Sequence, residues 1–408
     1  MLGTVQLELM LPWVAPVVGV WLFAVLGSVI AGRLVIPWLV KQKINDGENR
    51  KASEYLAMLH GTKKNTPTMG GAFIVPVILA SLCLGIAIAA EFMVRFPLNL
   101  SFGLNKDEYS LILHQNRQQG MNVCVFAVLA GLVLLSNATL GFVDDYRKLK
   151  KLGKDGISGR AKLAVQTLIA VLACIGAVLA MGPEAFSLHL PFATLPLGWW
   201  MVPIGTFVIV GAGNAFNLSD GLDGLAGGTG SVAFLALGGC ALLLCLLGQP
   251  GFAGVQMGTV ITGFAASGAL AGFLFWNKHP ARVFMGDTGS LSLGALMGFI
   301  AVMSGLELIL AVAGGVFVVE ALSVMLQVGY FKATKGKRIF KCAPLHHHFQ
   351  FSGWHETKVT RHFIGAAIAC AMIALALSAT MIRPSTPSAE PTATQTRVVP
   401  DAVVVSKP

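Results

Sequence analysis

Residues 121–148 read MNVCVFAVLAGLVLLSNATLGFVDDYRK, and this stretch decides the class of the fold. Its first part, residues 121–140, is apolar and matches the ~20 residues that a helix needs to cross a bilayer. The adjacent carboxylates Asp144 and Asp145 follow at the end of this span. Two carboxylates in a partly desolvated place repel each other unless a cation neutralises them, so the pair indicates a role with a metal ion or a phosphate. A solvated helix end is the alternative interpretation.

The whole chain has the composition of a membrane protein. It has 408 residues, of which 55% are hydrophobic and 12% charged, and its mean hydropathy is +0.73. We predict an all-α polytopic membrane protein, with one domain of about ten transmembrane helices over residues 1–382 and a disordered tail at 383–408. No soluble domain is left to hold nucleic acid, so we expect no such partner. The predicted spans are 16–40, 71–94, 121–140, 161–181, 198–213, 226–247, 252–275, 289–304, 306–330 and 362–382.

The charge of the connecting loops orients this domain. The loops after the odd-numbered spans contain 22 Lys and Arg residues, whereas the opposite side, with both termini, contains six. Cytoplasmic loops of membrane proteins carry an excess of Lys and Arg. We therefore predict that both termini and the tail are extracytoplasmic. Ten Asp and Glu residues reduce the cytoplasmic face to a net charge of +12, which favours contact with anionic membrane lipid and with a polyanionic substrate.

Polar segments rich in Asp, Lys or His stand between the spans, and five of them lie in predicted cytoplasmic loops. Carboxylates repeated at the ends of spans require a functional reason. Because the segments lie on one side of the membrane, we expect them to form one active site on the cytoplasmic loops. They are residues 63–71 (KKNTPTMGG), 144–148 (DDYRK), 214–224 (NAFNLSDGLDG), 284–290 (FMGDTGS) and 344–349 (PLHHHF).

Further carboxylates in these segments are candidate ligands. If the sixth span begins at Asp220, its spacing to Asp223 places both on one helix face. Ser219 or Asp220 as an ordinary N-cap is the alternative. Asp287 follows Gly286 directly before the eighth span, where a glycine allows the backbone to approach a bound phosphate closely. A capped turn is the alternative there.

The residue types favour Mg²⁺ over zinc, because oxygen ligands are abundant and imidazoles are few. Three consecutive residues such as His346–His348 cannot all point to one ion on a regular element. Carboxylates for a metal and lysines for phosphate, at a membrane surface, suggest phosphoryl transfer to or from a lipid. A transporter is the alternative from another class, and charges at the membrane midplane would mark it. Glu320, in the ninth span, is the main such residue, and we expect it to face the bundle interior.

Five segments resemble the phospho-N-acetylmuramoyl-pentapeptide transferase family (MraY, or translocase I), part of the polyprenyl-phosphate N-acetylhexosamine-1-phosphate transferase superfamily. The likeness runs in order from about residue 16 to 382, and the three histidines followed by residues 353–359 (GWHETKV) resemble the muramoyl-pentapeptide branch. Asn65, Ser219 and Gln350 stand where the family often has Gly, Thr and Glu. The segments are Asn65–Gly71, Gly141–Lys148, Asn214–Ala226, Val283–Leu291 and Ala343–Gln350.

The resemblance implies a reaction at the inner leaflet of the cell inner membrane. Undecaprenyl phosphate attacks the β-phosphate of UDP-N-acetylmuramoyl-pentapeptide, UMP leaves, and lipid I forms with the help of Mg²⁺. This reaction is the first membrane step of peptidoglycan synthesis. The resemblance implies Asp287 as the metal ligand, with Asp144 and Asp145 as further ligands or as the base on the lipid phosphate. A covalent Asp-phosphate intermediate stays open as the competing mechanism.

The resemblance also implies the substrate contacts. His346 takes part in catalysis and, with its two neighbours, holds the sugar-phosphate side, while Phe284 stacks on uracil. The implied substrate-binding residues are Lys63, Lys64, Lys148, Lys162, Asn217, Asp220, Asp223, Asn277, Phe284, His347 and His348. A sister transferase that uses another UDP-sugar is the first alternative, because the branches differ in the loop around residues 346–354. A homodimer is left open by the sequence.

Overall fold

The computed structural model describes residues 2–42, 66–100, 106–150, 156–247 and 253–381. Lys63, Lys64 and the tail at 383–408 lie outside the described residues, so the predictions for them stay predictions. The described residues form twelve α-helices and one small hairpin. The helices are α1 (Leu2–Lys41), α2 (Gly71–Leu100), α3 (Lys106–Leu149), α4 (Gly159–Met181), α5 (Met201–Ser219), α6 (Leu225–Leu247), α7 (Ala253–Asn277), α8 (Gly286–Met303), α9 (Glu307–Ala313), α10 (Gly315–Ala333), α11 (Leu345–Phe351) and α12 (Glu356–Thr380).

Ten of these helices are long and apolar enough to cross a membrane, which confirms the predicted number of spans and the all-α class. The predicted ninth span, 306–330, is wrong in one respect, because it breaks into α9 and α10 at Gly314 and Gly315. Two successive glycines are a natural place for a break, since glycine loses the most backbone entropy in a helix. The tenth span corresponds to α12, which begins at Glu356, six residues before the predicted boundary at residue 362.

The core of the bundle is α8, the shortest of the ten candidate spans. Every residue from Thr288 to Met303 is buried, and the helix packs against α3 and α5. Gly294 and Gly298 permit the close approach to α5, because a methyl group on either would meet the backbone of that helix. By contrast, α1, α4, α10 and α12 expose large apolar side chains, as expected for surfaces in contact with lipid tails.

A short hairpin joins α4 to α5. Its strands are β1 (Ser187–His189) and β2 (Thr194–Pro196), which pair antiparallel with Leu188 opposite Leu195. Single turns of 3₁₀-helix flank it, at Pro183–Ala185 and Gly198–Trp200. Because α4 begins next to the Asp144–Asp145 segment and runs away from it, the hairpin lies at the opposite end of the bundle from the polar segments.

Candidate active site

Four of the five polar segments meet around the N-terminus of α8. The helix α3 reaches it through Gly141, where an added methyl group would overlap the backbone carbonyl of Asp287. Residues 67–71 run alongside, since Gly70 and Gly71 donate backbone hydrogen bonds to the carbonyls of Phe284 and Met285. Backbone contacts thus hold the end of α3 and residues 67–71 against the segment 284–290. Small residues therefore decide where the carboxylates meet.

Asp145 caps α8 from a neighbouring helix. Its Oδ1 accepts a hydrogen bond from the backbone N–H of Asp287 at 3.1 Å, and its Oδ2 accepts from the N–H and the hydroxyl of Thr288 at 2.9 and 2.7 Å. The first N–H groups of a helix have no partner within the helix, and a carboxylate there is favoured by the helix dipole. Both oxygens of Asp145 are therefore occupied by contacts that hold the fold.

Asp144 and Asp287 share two ammonium groups. The Nζ atom of Lys162 lies 2.7 Å from an oxygen of each carboxylate, and that of Lys148 lies 2.7 Å from Asp144 and 3.2 Å from Asp287. Asp144 is fully buried, whereas Asp287 and both lysines are partly exposed. The arrangement brings three predicted site segments into contact, namely the end of α3, the start of α4 and the start of α8.

Asn217, near the end of α5, completes this group. Its amide donates to Asp287 Oδ1 at 3.0 Å and to the hydroxyl of Ser290 at 2.7 Å. The second oxygen of Asp144 accepts from the backbone N–H of Ile157 at 2.7 Å. The predicted site residues Asp144, Asp145, Lys148, Lys162, Asn217 and Asp287 therefore form one cluster, which we call the carboxylate cluster.

The carboxylate cluster fits a metal ion. One carboxylate oxygen from each of Asp144, Asp145 and Asp287 lies within 4.8 Å of the others. The two lysine ammonium groups mark where a cation is attracted, because both bridge Asp144 Oδ2 and Asp287 Oδ2. With its oxygens turned to α8, Asp145 is the least available of the three as a ligand. Carboxylate oxygens are the donors that hard divalent cations prefer.

The turn between α5 and α6 holds Asp220 and Asp223, and here one prediction is wrong. Neither residue starts the sixth span, because α6 begins at Leu225 and Asp220 stands at the C-terminal end of α5. The N-cap alternative fails too, since the hydroxyl of Ser219 donates to the carbonyl of Ala215 in the preceding turn. The two glycines at 221 and 224 favour a turn over a helix start, so the two aspartates do not share one helix face.

Asp223 belongs to a second polar group. Its Oδ2 accepts from the backbone N–H of Ala281 at 3.1 Å and lies 3.0 Å from His279 Nδ1. Glu356, in the first turn of α12, accepts from the backbone N–H of Asp223 at 2.7 Å and lies 3.7 Å from His279. These contacts tie the α5–α6 turn to the α7–α8 connection and to α12. His279 thus stands between two carboxylates.

Asn277, predicted together with Phe284 to line a uridine site, borders the same turn. Asn277 is buried, and its amide joins two backbones, accepting from Gly224 N–H at 3.0 Å and donating to the carbonyl of Val283 at 2.9 Å. Phe284 is half-buried in the connection before α8. In the structure, Asn277 therefore links the α5–α6 turn to the connection before α8. Its contact with the nucleotide remains a prediction.

The three histidines take three different environments on α11. His346 is fully buried against Glu320 of α10, which confirms that Glu320 faces the bundle interior. The ring of His347 lies 2.8 Å from the side-chain oxygen of Gln350, and His348 accepts from the backbone N–H of Lys341. The three side chains have different hydrogen-bond partners, and the rings of His346 and His347 lie in contact, with centroids 4.2 Å apart.

Comparison with known proteins places the chain in a family. A family model described as glycosyl transferase family 4 matches residues 125–305. The phospho-N-acetylmuramoyl-pentapeptide-transferase of Syntrophus aciditrophicus (strain SB) is 37% identical over 364 residues, which are 87% of this chain and 91% of that protein. The proteins of the same name from Rickettsia canadensis (strain McKiel) and Rhodopseudomonas palustris (strain BisA53) are 40% and 39% identical, over 78% and 83% of this chain and 80% and 88% of their own lengths.

The chain belongs to the phospho-N-acetylmuramoyl-pentapeptide transferase family. Membership confirms the resemblance inferred from the five segments, and it makes the chain a transferase of peptidoglycan synthesis. The match to the family model spans the end of α3, the start of α4, the end of α5 and α8, which carry the carboxylate cluster. The family and the geometry therefore point to the same end of the bundle.

The structure adds residues that sequence reasoning did not assign to the site of this transferase. His279, Glu356 and Thr288 hold the aspartates, and Gln166 of α4 accepts a hydrogen bond from the side chain of Asn214 at 3.1 Å. Gln166 lies one helical turn after Lys162, so both reach α5 or α8 from the same face of α4. In the sequence, Gln166 could have been noticed as a polar residue inside an apolar span, one helical turn after Lys162.

Proposed function

We propose that this chain transfers phospho-N-acetylmuramoyl-pentapeptide from UDP-N-acetylmuramoyl-pentapeptide to undecaprenyl phosphate, forming lipid I and releasing UMP. The reaction takes place at the cytoplasmic face of the cell inner membrane. The observation that carries the proposal is the carboxylate cluster with its two shared lysines, at one end of a ten-span bundle, in a chain of this family. Transfer between a soluble nucleotide and a membrane lipid needs such a site where the spans meet water.

The proposed reaction replaces one phosphoanhydride bond by another. An oxygen of undecaprenyl phosphate attacks the β-phosphorus of the donor and forms the new bond. The bond from that phosphorus to the oxygen bridging the two phosphates breaks, and UMP leaves with the electron pair. Such transfer depends on positioning and on neutralising charge rather than on covalent work by the protein. A cluster of fixed carboxylates and lysines meets that need.

Each member of the cluster has a proposed task. Lys148 and Lys162 neutralise the phosphates, because their ammonium groups are partly exposed and already lie among oxygen atoms. Asp144 is assigned to the acceptor phosphate, as the base or as part of its binding site. Asp145 is not assigned to it, since its oxygens are held by the backbone and hydroxyl groups at the start of α8, whereas Asp144 Oδ2 is paired with lysine side chains that can turn to a phosphate. Asn217 orients Asp287 through its amide.

Mg²⁺ is the proposed cofactor, because the donor set is carboxylate oxygen and the substrates are phosphates. Asp287 would hold the ion with Asp144 beside it. When bound, the ion supplies charge neutralisation at the transferring phosphate and a template for the two substrates. The lysines that bridge the two carboxylates then turn to the phosphates of the substrates.

The α5–α6 turn is the proposed nucleotide site. Asp220 and Asp223 in this turn are proposed to contact the nucleotide, and Phe284, in the connection before α8, is proposed to stack on uracil. Lys63 and Lys64, which precede the segment packed on α8, and the two partly exposed histidines of α11, His347 and His348, are proposed for the diphosphate and the sugar. Support for this arrangement is the packing of residues 67–71 on the connection before α8, the contact of Asp223 with Ala281 in that connection, and the approach of His346 to Gly221 in the turn.

A UMP-release assay tests the proposal. Purified protein with Mg²⁺ and undecaprenyl phosphate should release UMP from UDP-N-acetylmuramoyl-pentapeptide, and UDP-N-acetylglucosamine should be a very poor donor. Polar groups placed for one substrate are left unpaired by another, which discriminates by ~10⁴-fold in favourable cases. Equal use of both donors would move the chain to the sister transferases. Failure to release UMP from any UDP-sugar would leave a transporter as the better interpretation.

A further inference from the structure

Glu320 of α10 and His346 of α11 form a buried ionisable pair inside the protein. Both side chains are 0% exposed, and His346 Nδ1 lies 2.9 Å from Glu320 Oε2. The backbone N–H of His346 donates to the other oxygen, Oε1, at 3.1 Å. Burial of an acid in a membrane-spanning helix is costly. A buried acid such as Glu320 therefore indicates that its hydrogen bonds have a role in the protein.

The contacts of Glu320 decide the tautomer of His346. An ionised carboxylate only accepts hydrogen bonds, so His346 Nδ1 carries a proton, and in the neutral ring the other nitrogen, Nε2, then carries the lone pair. Nε2 is buried and has no hydrogen-bond partner among the described residues. Gly221 lies against this nitrogen, since a methyl group added at Gly221 would overlap Nε2. An α-hydrogen of Gly221 therefore faces the lone pair.

Gly221 lies in the α5–α6 turn, between Asp220 and Asp223. The chain of contacts therefore runs from Glu320, through the imidazole ring, to the backbone that carries both aspartates. A protonated Nε2 would direct an N–H bond at a C–H bond with no acceptor between them, which leaves a buried donor unsatisfied. The carboxylate of Glu320 prevents this by holding the proton on Nδ1.

We propose that Glu320 is a positioning residue for the nucleotide site. It fixes the tautomer and the orientation of His346, and the Nε2 side of that ring supports the α5–α6 turn and so holds Asp220 and Asp223 in place at the nucleotide site. His346 then acts through the turn and not by touching the sugar, because its ring is fully buried. The inference rests on the proposed function of this turn.

Glu320→Gln is the decisive variant. The amide can accept only one of the two hydrogen bonds, and its NH₂ group favours the His346 tautomer with the proton on Nε2, pointing at Gly221. We expect the Kd for UMP, measured by calorimetry in detergent, to rise about tenfold, equivalent to about 1.4 kcal/mol. The KM for the UDP-linked donor should rise with it, while kcat changes less than about threefold, because the carboxylate cluster is untouched.

Glu307→Gln is the matched control. Glu307, on α9, is also an acid with buried carboxylate oxygens, and these have no hydrogen-bond partner among the described residues. Its amide variant should leave the Kd, KM and kcat at wild-type values. Wild-type kinetics for Glu320→Gln as well would overturn the inference, while UMP release by the wild type would still uphold the proposed function. A merely structural role predicts a lower Tm for Glu320→Gln with an unchanged Kd for UMP.

Two measurements decide the question if Glu320→Gln does not fold. In ¹⁵N-histidine NMR spectra of the wild type, His346, assigned from the spectrum of His346→Gln, should show a protonated Nδ1 and an unprotonated Nε2. A protonated Nε2 would overturn the inference. Gly221→Ala, which places a methyl group against Nε2, should also raise the Kd for UMP about tenfold, equivalent to about 1.4 kcal/mol. An unchanged Kd for UMP in this variant would contradict the proposal that His346 supports the α5–α6 turn.

Discussion

Charge, rather than shape, is what Asp287 contributes to the carboxylate cluster. Asp287→Asn keeps the volume of the side chain but removes the charge that attracts both lysines and the cation. We expect UMP release to fall at least about a hundredfold at saturating Mg²⁺, because charge stabilisation by a metal is worth several kcal/mol. The Tm should stay near that of the wild type, since the side chain is partly exposed. More than about a tenth of wild-type turnover would remove Asp287 as the ligand.

Glu184→Gln serves as the control for that substitution. Glu184 is exposed and lies in the 3₁₀ turn before the hairpin, at the opposite end of the bundle. The same acid-to-amide change should leave both turnover and Tm unaltered. A loss of turnover in both variants would indicate a general effect of surface charge instead of a metal site.

Asp145, in contrast, should matter for stability as well as for activity. Its carboxylate accepts three hydrogen bonds from the start of α8, and an asparagine would turn its NH₂ group toward one of those donors. Hydrogen bonds to charged groups contribute about 1.5–3 kcal/mol. We expect Asp145→Asn to lower the Tm by several degrees in a thermal-unfolding assay, unlike Asp287→Asn. Equal Tm values for the two variants would show that the capping of α8 is dispensable.

At the scale of elements, the close contact between α3 and α8 decides where the aspartates lie. An alanine methyl group at Gly141 would overlap the backbone of Asp287 and Thr288, so α8 would have to shift. We expect Gly141→Ala to lower the Tm and to reduce turnover at least tenfold, since displacement of about 1 Å can cost ~10²-fold in rate. Turnover and unfolding of the purified variant measure both effects.

Gly131→Ala on the same helix is the matched comparison. A methyl group there would lie 3.6 Å from Leu79, an ordinary van der Waals distance. Replacing glycine by alanine inside a helix stabilises by about 0.5–1 kcal/mol when there is space. Gly131→Ala should therefore keep full turnover with an equal or higher Tm. The same loss in both variants would show that helix propensity, not the contact with α8, is responsible.

At the scale of the whole molecule, the orientation in the membrane determines which substrate can reach the site. The Lys and Arg residues divide 22 to six between the two sides, which predicts the polar segments in the cytoplasm. A reporter enzyme active only outside the cytoplasm should be active when fused after Ser385 and silent when inserted within 335–341. The opposite pattern would separate the carboxylate cluster from cytoplasmic nucleotides and contradict the proposed function.

Much of this protein follows from the sequence, because the features concerned are local or additive. The ten spans depend on apolar length, and the predicted sidedness depends on the number of basic residues in each loop. The polar segments were recognisable as short motifs, and they correctly predicted the family and the meeting of Asp144, Asp145 and Asp287. The sequence was less reliable for the start of the sixth span. Asp220 stands at the end of α5, and a turn with two glycines separates it from the start of α6 at Leu225.

Only the tertiary structure decided which residues do which work within those motifs. Asp144 and Asp145 are neighbours of the same type in sequence, yet one pairs with lysines and the other caps a helix 142 residues away. In the same way, Glu320 acquires a partner in His346, and Asp223 acquires His279 and Glu356. The physical reason is that composition and spacing act along the chain, whereas a hydrogen bond requires two atoms within about 3 Å. Packing of separate helices sets that distance.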